Sequence, residues 1–198
     1  MMQLVCLTGG IAGGKSSLAR MLEKLGAHVE NADDLARELA ATPDVRAALT
    51  DALGRSFYSS DGTLKRSELA AYIFHHPDAL RRVNEVIHPR VVEELARRYD
   101  EVRERPGCFV VETALAVETG YVEHFDVVVA VTASRPERLR RLVDDKGLTA
   151  DQAVARMAAQ LPEEEKLQRA DIVIVNDGTL EELASKARDL FEELCTDG

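Results

Sequence analysis

Residues 9–16 read Gly-Gly-Ile-Ala-Gly-Gly-Lys-Ser, which satisfies the phosphate-binding consensus G-x-x-x-x-G-K-[ST]. In such a stretch, a glycine-rich turn lets successive backbone N–H groups converge on an anion. The helix that follows directs the positive end of its dipole at the same point. We therefore expect Lys15 to reach the β- and γ-phosphates of a nucleotide and the Ser16 hydroxyl to ligate Mg²⁺. The stretch predicts a P-loop.

The flanks of this stretch have the patterns of a strand and a helix. Residues 4–7 form a short apolar run, typical of a strand buried in a parallel sheet. Apolar residues at positions 18, 21, 22 and 25 recur at helical spacing, and Gly26 follows them. A dinucleotide fingerprint is excluded, because Ile11 and Ala12 stand where G-x-G-x-x-G needs its second glycine. A glycine-rich turn that binds nothing is the remaining alternative.

Further apolar, β-rich runs predict the rest of a sheet. They lie at residues 109–111, 127–131 and 172–175, and a weaker candidate surrounds His28 and Val29. Helical patterns separate the runs, which indicates right-handed βαβ crossovers. Thr179 and Glu182 have the spacing of a capping box that opens a last helix. We predict a three-layer α/β/α P-loop NTPase fold with a parallel sheet.

Two segments exceed what a minimal nucleotide-binding sheet needs. Residues 35–105 are mostly helical in pattern and rich in arginine, which predicts a helical insertion that binds a second substrate, the acceptor. Residues 135–168 predict two charged helices with a break at Gly147 and a capping box of Thr149 and Gln152. We interpret them as a lid over phosphates, with a rigid surface hairpin as the alternative. The core then comprises residues 1–34, 106–134 and 169–198.

Composition narrows the class of protein. The 198 residues carry a formal net charge of −10, which argues against binding to nucleic acid or to a membrane surface. No basic segment or long apolar stretch opens the sequence, so we expect no signal peptide and no transmembrane segment. Cys6, Cys108 and Cys195 are widely spaced, and we expect buried thiols in a reducing cytoplasm.

Several polar residues are candidates for chemistry beyond nucleotide binding. Asp33 follows the short second strand, where doubly wound sheets gather their ligands, so its carboxylate is a candidate to orient an acceptor hydroxyl. A helix N-cap at Asp33 or Asp34 is the alternative. Arg37 lies one turn further on and is a candidate to meet a substrate phosphate. Glu112 ends a buried strand; it is a candidate Mg²⁺ contact through water, or else it caps a neighbouring group.

Arginines on the predicted lid are candidates to clamp phosphates, because the guanidinium fork matches phosphate oxygens and stays charged. Arg140, Arg141 and Arg156 lie there, although solvated arginines on a charged helix are the alternative. Spacing does not decide between Arg140 and Arg141, because a small rotation of the helix exchanges them. His88 precedes Pro89, and we interpret it as the end of a helical segment.

The chain resembles the dephospho-CoA kinase family almost from end to end. The resemblance is carried by short pieces in a shared order: residues 7–11 with 14–16, 32–33 with 36–37, Asn84 with 87–89, Leu115 with Glu118, Arg156 with Gln160, and 170–171 with 173–174 and Asn176. Such kinases transfer the γ-phosphoryl group of ATP to the ribose 3′-hydroxyl of dephospho-CoA. Another small-molecule or nucleoside monophosphate P-loop kinase and a non-catalytic ATP-binding regulator are the alternatives.

The resemblance implies substrates, a cofactor and roles for individual residues. ATP and dephospho-CoA are the implied substrates and Mg²⁺ the implied metal. We expect a cytoplasmic protein that is a monomer or a small homo-oligomer. Asp33 and Lys15 are the implied catalytic residues, and Arg37, His88 and Leu115 join Asp33 in binding the acceptor. The implied ATP-binding residues are Gly10, Ile11, Ala12, Gly13, Gly14, Lys15, Ser16, Ser17, Arg141 and Asn176.

The chain also departs from the family pattern. Residues 12–14 read Ala-Gly-Gly where Gly-Ser-Gly is usual, Ser17 replaces a common threonine, and Asn31 replaces an aspartate. Glu112 replaces the usual aspartate, residues 114–116 replace Pro-Leu-Leu, and Asp145 occupies a position that is often arginine. An alanine forced to positive φ costs on the order of 1 kcal/mol unless Gly13 absorbs the change. These departures bear on acceptor affinity and lid contacts more than on the reaction class.

Overall fold

The strands of the chain form one parallel sheet. The computed structural model describes residues 2–114, 116 and 120–195. In these residues the strands are β1 (Gln3–Thr8), β2 (His28–Asn31), β3 (Cys108–Glu112), β4 (Val127–Thr132) and β5 (Ile172–Val175), in the order β2-β3-β1-β4-β5. All hydrogen-bonded neighbours are parallel. The predicted parallel sheet is confirmed, including its weakest strand.

Helices connect the strands, as the alternating patterns predict. Their bounds are α1 (Lys15–Leu25), α2 (Ala32–Ala40), α3 (Pro43–Leu53), α4 (Arg66–His75), α5 (Pro77–Asp100), α6 (Arg135–Arg140), α7 (Ala150–Ala158), α8 (Glu163–Gln168) and α9 (Leu180–Cys195). A short 3₁₀ helix spans Tyr121–His124, and a π-helical turn, Arg141–Asp145, continues α6. The helix α8 has no counterpart in the sequence prediction, which placed only two helices between β4 and β5.

Alternating side chains of the strands build two apolar layers. Val5 and Leu7 of β1 pack with the buried faces of α1 and α9, while Cys6 between them faces a second cluster that contains Val122 and Val128. This period of two is what a strand covered on both faces requires. The sheet therefore has helical or 3₁₀ segments on both faces, as in the predicted three-layer architecture.

The chain divides into two compact units. One comprises residues 2–31 and 99–195, with the sheet and the P-loop stretch; the other comprises residues 32–98. The second unit contains α2, α3, α4 and most of α5, around a core that includes Leu35, Val45, Leu49 and Ile87. Its helices occupy most of the stretch predicted as an insertion, 35–105. The predicted lid segment, 135–168, belongs to the same unit as the sheet.

The two predicted capping boxes are present. Thr149 Oγ1 accepts from Gln152 N at 3.2 Å, and Gln152 Oε1 accepts from Thr149 N at 3.1 Å. Thr179 and Glu182 make the corresponding pair of bonds at 3.2 and 2.8 Å. Each pair satisfies two N–H groups that would otherwise lack a partner at a helix start.

The predicted helix end at Pro89 is wrong. The helix α5 continues through Pro89 to Asp100, although proline lacks the N–H for one helical hydrogen bond. Ile87 and Val91, on either side of the proline, are both buried in the apolar core of this unit. The Arg90 guanidinium also donates to Val86 O at 2.7 Å. Packing of the apolar face outweighs the local preference of proline.

The prediction of three free thiols is also wrong. Cys108, at the start of β3, and Cys195, at the end of α9, form a disulfide with Cα atoms 5.2 Å apart. They are separated by 87 positions in the sequence, so only the packing of α9 brings them together. Cys6 is the free cysteine, and burial raises the pKa of its thiol to about 12. None of the described helices combines the length and the apolar character that a membrane span requires.

Candidate active site

The P-loop stretch connects β1, the middle strand of the sheet, to α1. Ala12 adopts φ +60°, and among the described residues it is the one non-glycine position with positive φ. Gly13 does not absorb this strain, since its φ is not positive. Its need for glycine is steric: a Cβ there would lie 2.7 Å from the carbonyl oxygen of Val131 on β4. The loop is therefore pressed against the neighbouring strand.

The carbonyl oxygens of the loop are hydrogen-bonded by groups around it. Lys15 Nζ donates to Gly9 O at 2.9 Å and to Gly10 O at 3.4 Å. The carbonyl groups of residues 11–13 accept from side chains distant in the sequence: Arg138 Nε bonds Ile11 O at 3.0 Å, Arg141 Nη1 bonds Ala12 O at 3.2 Å, and Asn176 Nδ2 bonds Gly13 O at 2.9 Å. In a planar trans peptide the C=O and the next N–H point in opposite directions. These bonds therefore orient the N–H groups of Ala12, Gly13 and Gly14 away from the donors.

Arg141 and Asn176, both expected at the nucleotide, are linked to each other at the loop. Arg141 Nη2 donates to Asn176 O at 2.7 Å, and its Nε donates to Glu137 at 2.9 Å. Asn176 is buried, and its backbone N donates to Thr132 O at 2.7 Å. Asn176 directly follows β5, and Arg141 donates to it. Both residues therefore lie near the carboxyl ends of β4 and β5, where parallel sheets bind their ligands.

The three predicted lid arginines lie in different surroundings. Arg141 contacts the loop, as above. Arg140, its neighbour, points elsewhere: it is half exposed and paired with Glu137 at 2.7 Å and Asp144 at 3.6 Å. Arg156 is exposed on α7. Gln160, which follows α7, accepts from Ile11 N at 2.8 Å. The segment thus reaches the P-loop through Arg138, Arg141 and Gln160, and in the described residues Arg140 and Arg156 form no hydrogen bond with the loop.

Ser16, Glu112 and Asn31 form a polar chain at the ends of β2 and β3. Ser16 Oγ donates to Glu112 Oε1 at 2.5 Å, and Asn31 Nδ2 donates to Glu112 Oε2 at 2.9 Å. Glu112 is buried, and the sheet register sets Asn31 directly beside it. A second carboxylate at position 31 would repel Glu112, whereas the amide donates to it. The two departures, Asn31 and Glu112, therefore suit each other.

This chain of oxygens suits a hard divalent cation. Ser16 Oγ is the position from which P-loops ligate Mg²⁺, and the adjacent carboxylate can accept from water molecules of that ion. The described residues contain no group of three or more His, Cys, Asp or Glu that would hold a metal alone.

The predicted acceptor-side residues that are described lie in the 32–98 unit. The helix α2 begins at Ala32, so Asp33 and Asp34 lie in its first turn and neither is the N-cap. Asp33 is exposed, and Arg37 pairs with Asp34. His88 is half-buried in α5, and burial lowers its pKa. Leu115 and Glu118 lie outside the described residues.

Arg138 was not among the predicted site residues, although it is buried beside the P-loop. It is 5% exposed and forms an ion pair with Glu163 of α8. Lys166, which is fully buried and donates to Ala114 O at 3.0 Å, was also missed. In a sequence, a charged residue on a polar helix is normally interpreted as part of a solvent-exposed face. No local pattern distinguishes these two from their exposed neighbours.

Comparison with known proteins shows the family. Residues 3–182 match the sequence model of dephospho-CoA kinase. A dephospho-CoA kinase of Corynebacterium glutamicum is 40% identical over 190 residues, which cover 95% of each chain. A Thermus thermophilus protein of known crystal structure has a TM-score of 0.83 at 32% identity, with 98% of both chains covered. A dephospho-CoA kinase structure from Campylobacter jejuni has a TM-score of 0.75 at 21% identity, over 99% and 98% of the two chains, which shows a shared fold. By sequence, the chain belongs to the dephospho-CoA kinase family.

Proposed function

We propose that this protein transfers the γ-phosphoryl group of ATP to the ribose 3′-hydroxyl of dephospho-CoA, giving coenzyme A and ADP. Family membership over nearly the whole chain is the observation that carries the proposal. The site is consistent with it: side chains donate to the carbonyl groups of Gly9, Ile11 and Ala12, and Lys15 and Ser16 stand at the start of α1. This arrangement suits an anion with several phosphates.

In the proposed reaction the P-loop amides and Lys15 hold the β- and γ-phosphates. Arg141 already lies beside the loop, where it donates to Ala12 O, and it is the lid arginine placed nearest to a bound nucleotide. When bound, Mg²⁺ supplies charge neutralisation of the phosphates. Ser16 and Glu112 would hold it, the first directly and the second through water.

We assign Asp33 to the acceptor hydroxyl. Phosphoryl transfer passes through a loose transition state, so the nucleophile needs little early deprotonation. The carboxylate then serves mainly to orient the hydroxyl and to accept its proton late. Its exposure in the first turn of α2 leaves the carboxylate accessible to a ligand. Arg37 and His88 are proposed to contact the acceptor from the same unit.

The direct test is ADP release from Mg·ATP with and without dephospho-CoA, with coenzyme A identified by mass. We expect release that depends on the acceptor and is abolished by EDTA. An ATP turnover rate that is the same with and without dephospho-CoA would contradict the proposal and favour a nucleotide-binding regulator. Turnover with a nucleoside monophosphate in its place would indicate a different small-molecule kinase.

We also propose a cytoplasmic location and a monomer or small homo-oligomer. The location rests on the use of ATP and on the activity proposed above. The disulfide of Cys108 with Cys195 does not support it, because a reducing cytoplasm disfavours such bonds. Cell fractionation, together with light scattering of the purified protein, tests both statements.

A further inference from the structure

Arg138 is a buried cation for which the proposed reaction has no use. It lies on α6, and its Nε donates to Ile11 O of the P-loop at 3.0 Å. Its guanidinium fills the space beside Gly10, where a Cβ would lie 2.5 Å from Nη2. A cation in such a place is costly to desolvate and persists only when it is paired and hydrogen-bonded.

The ion-pair partner of Arg138 is Glu163, which lies on a different helix. It is the first residue of α8, it forms the ion pair with Arg138 Nη1, and its Oε1 accepts from Thr132 Oγ1 at 2.5 Å. Thr132 is the last residue of β4, next to the strand that leads into the P-loop. The ion pair thus joins α6, α8 and the end of β4 to one carbonyl of the loop.

The contact falls on the one peptide of the loop that precedes a strained residue. Ile11 O and Ala12 N–H belong to the same planar peptide, so holding the carbonyl on Arg138 directs that N–H to the opposite side. Arg141 holds the carbonyl of Ala12 itself. The carbonyl groups on both sides of the Ala12 Cα are therefore hydrogen-bonded. A positive φ in a residue other than glycine persists only where the surrounding structure enforces it.

We propose that Arg138 and Glu163 are positioning residues for the P-loop. They hold the Ile11–Ala12 peptide with its N–H toward the phosphates, and they tie the start of α8 to nucleotide affinity. The proposal rests on ATP binding, the first part of the function proposed above, and it does not depend on the acceptor. Glu163 acts through Arg138, and neither residue needs to touch ATP.

The test compares nucleotide affinity with stability in four variants. The variants are Arg138→Met, Glu163→Leu, the double variant Arg138→Met/Glu163→Leu, and Arg135→Gln as the control. Arg135 is an exposed arginine on the same helix. Calorimetric titration with a non-hydrolysable ATP analogue gives Kd, and thermal unfolding gives Tm. Each single variant leaves one charge of the pair without its partner, either the buried Arg138 or the partly buried Glu163, so both lower Tm. The double variant replaces the pair by apolar groups and recovers most of that Tm.

Affinity distinguishes positioning from a purely structural role. Loss of a hydrogen bond from a charged donor is expected to raise Kd by about 10-fold to 100-fold. We expect this rise in Arg138→Met and also in the double variant despite its recovered Tm, with wild-type Kd in Arg135→Gln. In turnover, KM for ATP should rise more than kcat falls. A double variant that recovers Tm and Kd together would overturn the proposal.

A milder variant covers the case in which the double variant does not fold. Glu163→Gln removes the charge but keeps one amide oxygen to accept from Arg138, and its NH₂ group can donate to Thr132 Oγ1 in place of the present bond, so we expect it to fold and to raise Kd several-fold. A wild-type Kd there would overturn the proposal. Failure of the wild-type protein to bind the analogue would instead contradict the proposed function. Analogue binding without transfer to dephospho-CoA would contradict only the proposed acceptor.

Discussion

Positions 12 and 13 of the P-loop show how one residue is constrained by its backbone and the next by its neighbour. Ala12 has a positive φ, and the carbonyl groups on either side of its Cα accept hydrogen bonds from arginines. The φ of Gly13 is not positive, but a Cβ at this position would overlap the carbonyl oxygen of Val131 on β4. Strain from positive φ costs alanine about 1 kcal/mol. A steric overlap with backbone costs more, because a strand in the middle of a sheet cannot move aside.

We therefore predict that a substitution is well tolerated at position 12 and poorly tolerated at position 13. Gly13→Ala should destabilise the protein by about 2 kcal/mol or more and weaken ATP binding. Ala12→Gly should change the free energy of unfolding by less than about 1 kcal/mol, because relief of strain is offset by added freedom of the unfolded chain. Urea unfolding measures both values.

Gly54→Ala is the matched control for these variants. Gly54 has φ +70°, and a Cβ there would meet no atom within 4 Å. That variant should show the cost of positive φ alone, about 1 kcal/mol. If Gly13→Ala is no worse than Gly54→Ala, the overlap with Val131 does not limit this position.

Asp33 carries the most specific catalytic prediction. Asp33→Asn should lower kcat by a few orders of magnitude and leave the Kd for ATP nearly unchanged, because the amide neither accepts the proton nor orients the hydroxyl as strongly. Steady-state kinetics and analogue titration measure the two quantities. Glu38→Gln, an exposed carboxylate on the same helix, is the control and should keep its activity. Near-normal kcat in Asp33→Asn would remove Asp33 from the mechanism.

At the scale of elements, Glu137 organises the segment between β4 and β5. It accepts from Arg140 at 2.7 Å and from Arg141 at 2.9 Å, and hydrogen bonds from Arg140 come first in lowering its pKa from 4.5 to about 2. One side chain therefore holds Arg141 at the loop and Arg140 away from it. The sequence could not assign these two roles, because they depend on the rotation of α6.

A pH dependence follows from the lowered pKa of Glu137. Because its pKa is lower in the folded state, its stabilising effect is present above pH 4.5 and is lost as the pH falls toward 2. We expect Tm of the wild type to fall more steeply between pH 5 and 2 than Tm of Glu137→Gln. The control is Glu164→Gln, an exposed carboxylate on α8, whose curve should run parallel to the wild type. Parallel curves for Glu137→Gln as well would contradict the prediction.

At the scale of the whole molecule, the disulfide joins the last helix to the sheet. It closes a loop with a sequence separation of 87 residues. Closing a long loop lowers the entropy of the unfolded chain, so the bond is expected to contribute about 2 to 4 kcal/mol. Cys195→Ser should lower Tm by several degrees and make it insensitive to dithiothreitol, whereas reduction should lower Tm of the wild type.

Alkylation of the unreduced protein after denaturation checks the pairing itself. One cysteine, Cys6, should then be alkylated, and the other two should appear as a linked peptide pair in mass spectrometry. Three alkylated cysteines would mean that the bond is absent. In the native protein, burial and a pKa of about 12 should also keep Cys6 unreactive.

The sequence by itself determined the elements whose signals are local. The P-loop, the parallel strands and the two capping boxes each rest on residues close together in the chain, and the structure shows all of them. The order of the pieces that resemble the family was likewise readable along the chain. Local backbone preference and side-chain period suffice for such features.

Only the tertiary structure decided the features that depend on residues far apart. The helix through Pro89 depends on packing of its apolar face, and the bond of Cys108 with Cys195 depends on where α9 ends. The contact of Arg138 with Ile11 spans 127 positions. A charged residue on a polar helix carries no local sign of burial. Its partners come from other elements, so its role becomes visible only when the chain has folded around it.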